Sequence, residues 1–333
     1  MSQSSPDPTA TDAQPSSGLT SPRALAGLRV GLSGAVPERA FWGEAKDLDR
    51  DILRFVAQFT ALVARHGGRL VHGSQPTLTP VIARQASNFT RHPTAAGPVL
   101  TLVASALWGD PPDVLETFPF AEVIVTPRIG EGDFKDPATR NDSLTALRLT
   151  LASQVDAVVA VGGKLHAGTG YNPGVLEELI MARWRGLPCF IVAAFGGLTA
   201  RLDAEMLRHF TAGNGLDEKE NQELAIWDGK KTVDRFVGQL VSHLARTNND
   251  ERRPVWPQVR VSGGEGVDSG VATGGSAELR PLRRADIPVA LVRTAANAVK
   301  LINDAFKGGN AKEVGRLLEP PFINHSNGAT YAN

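Results

Sequence analysis

The chain has 333 residues, of which 35 are basic and 35 acidic, so its formal net charge is zero. A balanced charge argues against a protein that binds the nucleic-acid backbone or an anionic membrane surface. The single cysteine, Cys189, excludes an intrachain disulfide, and no apolar run reaches the length of a membrane span. We therefore expect a cytoplasmic protein that contacts neither nucleic acid nor membrane.

Residues 1–24 are rich in serine, proline and threonine and are expected to form a disordered tail. They lack the basic and apolar regions of a signal peptide. From residue 25 to residue 246, apolar β-branched runs alternate with amphipathic helical patterns. This alternation predicts a doubly wound α/β domain, with a mainly parallel sheet and helices on both faces.

The first two predicted strands, residues 28–32 and 69–71, each end in a turn of glycine and serine. Ser33 and Gly34 follow the first strand. The second leads into a loop whose candidate ligand-binding residues are Gly73, Ser74, Gln75 and Thr77. Backbone amides and hydroxyl groups at such turns can bind a phosphate, although the same turns are common in proteins without a ligand there.

The fourth predicted strand, residues 122–125, is followed by Arg128, which would add positive charge to the same edge of the sheet. The polar, glycine-rich residues 130–137 are expected to form a flap over that edge. The next helix is expected to begin at Asp142 or Ser143.

Residues 158–197 carry the strongest signals in the chain. Two successive apolar strands each end in a diglycine, and the helix between them begins with a pair of glutamates. Two glycine loops at the carboxyl ends of neighbouring strands favour an anion-binding site over ordinary turns. The predicted ligand-binding residues of this stretch are Gly162, Gly163, Lys164, Gly168, Thr169, Glu177, Glu178, Gly196 and Gly197.

The spacing of these glycines matches neither a nucleoside-triphosphatase phosphate loop nor a dinucleotide-binding motif. The seven histidines show no spacing typical of metal ligands. We therefore expect neither a bound metal nor a resident cofactor.

Residues 247–283 lose apolar periodicity and are predicted to be a flexible linker. Residues 284–333 carry two further helical patterns. Two helices bury little apolar surface by themselves, so they either dock on the α/β domain, contact a second copy, or bind a partner protein. We accordingly expect a homo-oligomer or a partner effector protein.

Three segments together resemble the SLOG superfamily, Rossmann-like domains related to the Lonely Guy phosphoribohydrolases and to the ligand-binding region of TRPM channels. These segments are LSGAVP at residues 32–37, VHGSQPTLTP at residues 71–80, and VGGK with PGVLEE between residues 161 and 178. The resemblance covers roughly residues 28–210 and implies a Rossmann-like fold. It also implies a sensor of a nucleotide or an ADP-ribose-like signal, as in bacterial antiphage defence or stress systems.

The resemblance leaves the reaction open. In the phosphoribohydrolases a threonine and the catalytic glutamate lie two residues apart directly after Pro-Gly-Gly, with an arginine on the preceding helix. Here Val161 replaces the proline and Thr169 lies eight residues before Glu177, whereas Arg148 occupies the place of the arginine. Binding is the main hypothesis, with Glu177 or Glu178 accepting a hydrogen bond from a ribose hydroxyl.

Two alternatives remain. One is an N-glycosidase or phosphoribohydrolase that cleaves a nucleoside monophosphate or related nucleotide, with Glu177, Glu178 and Arg148 as its catalytic residues. The other is a structural adaptor that acts through its C-terminal helices.

Overall fold

The computed structural model describes residues 23–42, 46–90, 98–109, 120–166, 170–225, 233–247, 259–262 and 282–318. Within them the strands are β1 Arg29–Ala35, β2 Arg69–His72, β3 Leu100–Ser105, β4 Glu122–Thr126, β5 Ala157–Gly162, β6 Cys189–Val192, β7 Arg260–Ser262 and β8 Arg283–Asp286. The helices are α1 Leu48–Arg65, α2 Thr79–Thr90, α3 Pro137–Ser153, α4 Gly174–Trp184, α5 Ala204–Thr211, α6 Glu218–Ala225, α7 Val233–Thr247, α8 Val289–Lys307 and α9 Ala311–Leu317.

The strands form one sheet in the order β6-β5-β1-β2-β3-β4-β8-β7, in which the pairs are parallel except that of β7 with β8. Buried side chains of α3, α4, α5, α8 and α9 pack on one face, and those of α1, α2 and α7 on the other. The predicted Rossmann-like α/β fold is therefore confirmed. Along β1 the side chains alternate between the faces, so that Leu32 enters the α1 core and Ser33 points to the α4 side.

The helix after β4 begins earlier than the sequence suggests. It starts at Pro137, and the Asp136 carboxylate accepts a hydrogen bond from the Thr139 N–H at 2.9 Å. The predicted cap at Asp142 or Ser143 is wrong, because an Asp-Pro pair provides both the cap and a first helical residue with a suitable φ. The expected flap is thus only the loop up to residue 136.

The C-terminal part of the chain joins the sheet and its core. Strand β7 lies within the predicted linker, residues 247–283, and β8 begins at its last residue. Helix α8 buries Leu291, Val299 and Ile302 in the same apolar cluster as α3 and α4. An adaptor function of the C-terminal helices would therefore have to use their other faces.

A partly buried carboxylate at the start of β4 ties β8 to the amino ends of β2 and β3. Glu122 accepts hydrogen bonds from Arg283 at 2.5 Å, Arg69 at 3.2 Å and Thr101 at 2.8 Å. Burial alone would raise the pKa of the Glu122 carboxyl, but the hydrogen bonds from Arg283 and Thr101 and the charges of both arginines outweigh it. The pKa is therefore lowered.

We expect Glu122→Gln to destabilise the protein most near neutral pH. A carboxyl with a lowered folded-state pKa contributes stability above its unfolded value, here 4.5, and loses that contribution as pH falls through the folded value. Melting temperatures of wild type and variant should therefore converge in acid. A difference that stays constant with pH would contradict the role of Glu122 as the ionised centre of this network.

Candidate functional site

Strands β1 and β5 are parallel neighbours, and the order in which the chain adds strands to the sheet changes sides between them. The chain runs outward from β1 to β4 and then returns to place β5 and β6 on the other side of β1. In open α/β sheets, ligands bind at the carboxyl ends of the strands next to such a switch point. Ser33, Gly73 and Glu178, three residues predicted from the sequence, come together there on the α4 side of the sheet.

Glu177, in the first turn of α4, is completely buried. Thr145 Oγ1 donates to one carboxylate oxygen at 2.7 Å, and Arg148 Nη1 donates to the other at 2.5 Å. The Arg148 guanidinium also lies under the loop before α4, where a Cβ on Gly170 would be 2.7 Å from Nη1. Both oxygens of Glu177 thus join α3 to α4, which makes this carboxylate a group that positions the helix.

Glu178 is half-buried, and its Oε1 would lie 3.8 Å from a Cβ on Gly73. Burial raises the pKa of the Glu178 carboxyl and the charge of Glu177 adds to the rise, whereas the nearby Ser33 hydroxyl and Arg148 guanidinium counteract part of it. Ser33 Oγ is itself buried and makes no hydrogen bond of ordinary geometry with the described residues. Ser33, Gly73, Ser74 and Glu178, at the carboxyl ends of β1 and β2 and on α4, are called the Glu178 crevice below. A half-buried carboxyl with a raised pKa at such a switch point is typical of a group that meets a ligand.

The turn after β2 is strained and carries a second unpartnered hydroxyl. Ser74 has φ +56°, in the left-handed region, and its Oγ is buried without a partner in the described part of the chain. Below it, His72 Nε2 accepts a hydrogen bond from the Gln75 N–H, so Nδ1 carries the proton and donates to Leu32 O. Burial lowers the pKa of His72 more than these bonds raise it, which favours the neutral imidazole. The turn is therefore held rigidly from beneath.

The other predicted side chains take different places. Gln75 Oε1 accepts from the N–H of Thr77 and of the residue after it, both at 2.8 Å, which organises the turn before α2. Thr77 is exposed, as are Arg128 and Lys164, which follow β4 and β5 at the carboxyl edge. Gly168 and Thr169 lie outside the described residues.

The diglycine loops pack tightly against the protein. Gly163 N–H donates to Ala35 O at 2.8 Å, and Gly196 N–H donates to Ala193 O at 3.2 Å, so these two amides are already paired. A Cβ on Gly34 would lie 2.8 Å from Val161 Cγ1. The glycines with positive φ here are Gly162, Gly163, Gly196 and Gly197. They allow the loops after β5 and β6 to touch, and phosphate binding by their remaining amides stays a prediction.

Helix α8 holds the loop that leads into α4. Asn172 Nδ2 donates to Val299 O at 3.0 Å, and these two residues are 127 positions apart in the sequence. Asn303 Nδ2 donates to Tyr171 O at 3.3 Å. Lys300 Nζ lies 4.1 Å from the centroid of the Tyr171 ring. These contacts were not predicted from the sequence, because a contact between distant segments leaves no local pattern. They fix the start of the helix that carries both glutamates.

Among the described residues, no three histidine, cysteine or acidic side chains form a group that could hold a metal ion. In the same part of the chain, no helix has both the length and the apolar character needed to cross a membrane.

Residues 130–223 match the family model described as SLOG cluster2. The matched range contains α3, β5, α4 and β6, and thus Arg148, Glu177 and Glu178. Ser33 and Ser74, which complete the crevice, precede it. No curated protein matches the chain.

Proposed function

Because this chain belongs to the SLOG superfamily, we propose that it binds a nucleotide-derived small molecule at the carboxyl edge of its sheet. The observation that carries the proposal is a pair of buried hydroxyls, Ser33 Oγ and Ser74 Oγ, in the turns around the half-buried Glu178 carboxyl. Neither hydroxyl makes a hydrogen bond of ordinary geometry with the part of the chain that the structure describes. Buried polar groups in proteins nearly always have a hydrogen-bond partner. A polar ligand would provide the missing ones.

The chemistry of these groups suits a phosphorylated ribose. A carboxyl binds sugar hydroxyls well, and serine hydroxyls next to backbone amides at strand ends bind phosphate. We assign the ribose to Glu178 and a phosphate to the turns that contain Ser33 and Ser74. An ADP-ribose-like molecule carries both groups.

We further propose that the protein senses this ligand and does not consume it. Thr145 and Arg148 engage both oxygens of Glu177, which leaves Glu178 to meet the ligand. A sensor of this kind, in a bacterial defence or stress system, would signal to a second copy of the chain or to a partner effector protein. A cytoplasmic location is the expectation from the single cysteine.

Glu178→Leu should weaken the binding of ADP-ribose by about tenfold to a hundredfold, because it keeps the volume of the side chain but removes its hydrogen bonds. Ser33→Ala should weaken it by about threefold to tenfold. Titration calorimetry with ADP-ribose and AMP measures both effects. Glu218→Gln on α6 and Ser242→Ala on α7 alter the same residue types on helices that pack on the opposite face of the sheet from α4, and both should bind like wild type. Equal binding by all four variants would show that the site is misplaced.

The second candidate function is N-glycosidic hydrolysis, which the raised pKa of Glu178 favours. A carboxyl with a raised pKa keeps its proton to a higher pH and can protonate a leaving base. Wild type would then release free base from AMP or ADP-ribose, as detected by chromatography, and Glu178→Gln would not. That result would replace the sensor with a hydrolase, whereas binding without base release supports the sensor.

A further inference from the structure

Two aromatic rings lie exposed at the carboxyl edge of the sheet. Trp108 is 55 % exposed and Phe134 is 45 % exposed, and their ring centroids are 5.7 Å apart with an angle of 37° between the planes. Lys135 Nζ lies 5.9 Å from the centroid of Phe134. An exposed pair of large aromatic side chains in contact with each other is a candidate binding surface.

The loop that carries Phe134 is ordered by its own hydrogen bonds. Gly132 N–H donates to Thr139 Oγ1 at 3.2 Å, and Lys135 N–H donates to Asp133 Oδ1 at 2.8 Å. Gly130 has φ +109°, and a Cβ there would lie 2.5 Å from Thr139 Oγ1. The exposure of Phe134 therefore results from a loop with a defined conformation.

The aromatic pair and the Glu178 crevice lie at the same edge of the sheet. Trp108 follows β3 and Phe134 follows β4, whereas Ser33 and Ser74 are at the ends of β1 and β2. Two strand spacings separate β1 from β3, which is about 10 Å. This distance suits ADP-ribose, in which a diphosphate separates the adenosine from the distal ribose, with the base at the aromatic pair and the distal ribose at Glu178.

Arg140 lies in the first turn of α3, directly after the loop that carries Phe134. Arg140 and Leu147 are seven residues apart and therefore lie on the same side of α3, with Arg140 nearer the N-terminus of the helix. Leu147 lies beside Gly73, since a Cβ on Gly73 would be 3.4 Å from its side chain. Seven residues of α-helix span about 10 Å. Arg140 Nε is buried and has no hydrogen-bond partner among the described residues. A buried, unpartnered guanidinium nitrogen suits a phosphate oxygen.

We propose that Trp108 and Phe134 form the base-stacking end of the nucleotide site, with Arg140 binding a phosphate between them and the Glu178 crevice. This inference rests on the proposed function and specifies its ligand as one that retains an aromatic base. Aromatic faces stack on any nucleobase, and the neighbouring lysine and arginine match a phosphorylated ligand better than an apolar protein surface.

Calorimetry with AMP, ADP-ribose and ribose 5-phosphate tests the proposal. Trp108→Leu and Phe134→Leu keep an apolar side chain but remove the ring, so each should weaken AMP and ADP-ribose by about tenfold and leave ribose 5-phosphate unchanged. Arg140→Gln should weaken ADP-ribose, whose diphosphate reaches both Arg140 and the turns of Ser33 and Ser74, and should leave ribose 5-phosphate unchanged, because its single phosphate occupies those turns. Leu301→Ala, an exposed apolar change on α8, should alter none of them.

If both leucine variants bind ADP-ribose like wild type while Glu178→Leu loses it, the base-stacking site is wrong and the proposed function stands. Wild type that binds ribose 5-phosphate as tightly as AMP would also overturn the base-stacking site. If wild type binds none of the three compounds, both proposals are overturned. If Trp108→Leu instead changes the oligomeric state in sedimentation and leaves AMP binding unchanged, the pair is an interface between copies.

Discussion

Arg148→Met should lower the free energy of unfolding by about 3–5 kcal/mol, because it leaves the Glu177 carboxylate buried without its cation. The two side chains are 7 % and 0 % exposed, so water cannot replace the lost partner. Methionine keeps much of the aliphatic volume of arginine, which separates the effect of charge from that of packing. Urea-induced unfolding followed by circular dichroism gives the difference.

Arg50→Met is the matched control. Arg50 pairs with Asp47 at the exposed start of α1, where ion pairs contribute little, so this variant should unfold like wild type. The double variant Arg148→Met/Glu177→Gln should recover much of the loss, because it leaves no buried charge unpaired. A single-variant effect under about 1 kcal/mol, or a double variant as unstable as the single one, would contradict the role of the pair.

The sequence identifies the acidic pair of α4 but does not distinguish the roles of its two members. Neighbouring residues on a helix point about 100° apart, so one glutamate can face α3 while the other faces the strand ends. The choice depends on Thr145 and Arg148, whose spacing of three residues places them on the same side of α3. That spacing is the one local feature of the sequence that points to Thr145. By itself it does not identify Glu177 as the residue that Thr145 and Arg148 bind.

The glycine loops show a different limit of prediction. Both a phosphate-binding loop and a tight contact between loops require glycine with positive φ. In the structure Gly163 serves the tight contact between loops, since its N–H donates to Ala35 O. Sequence alone cannot separate the two uses, because the competing acceptor comes from a strand more than a hundred residues earlier in the chain.

The alternation of apolar runs and helical patterns was enough to predict the parallel sheet from β1 to β6. Strands β7 and β8 have only three and four residues, with arginine or serine at most positions, which is too short for a period-two pattern. The helical pattern of α8 was predicted, but the surface that covers its apolar side was not. The structure shows that α3 and α4 cover it.

Ile302→Ala should lower the free energy of unfolding of the whole α/β domain by about 2–5 kcal/mol. Ile302 is fully buried in the cluster that α8 shares with α3 and α4, so its truncation leaves a cavity in the common core. Because α8 also holds Asn172 and Tyr171 at the start of α4, the same cavity should loosen the Glu178 crevice. Urea unfolding should show one transition that moves to lower urea concentration at an unchanged slope.

Leu301→Ala provides the sharpest control, since Leu301 is the adjacent residue and is 57 % exposed. Its truncation leaves no cavity and should change stability by less than about 0.5 kcal/mol. The difference between the two variants therefore measures the docking of α8, independently of helix propensity, which changes in the same direction in both. An independent C-terminal adaptor would give a separate transition for α8 and α9, and Ile302→Ala would then leave the main transition unchanged. That pattern would contradict the shared core and return the C-terminal helices to a separate role.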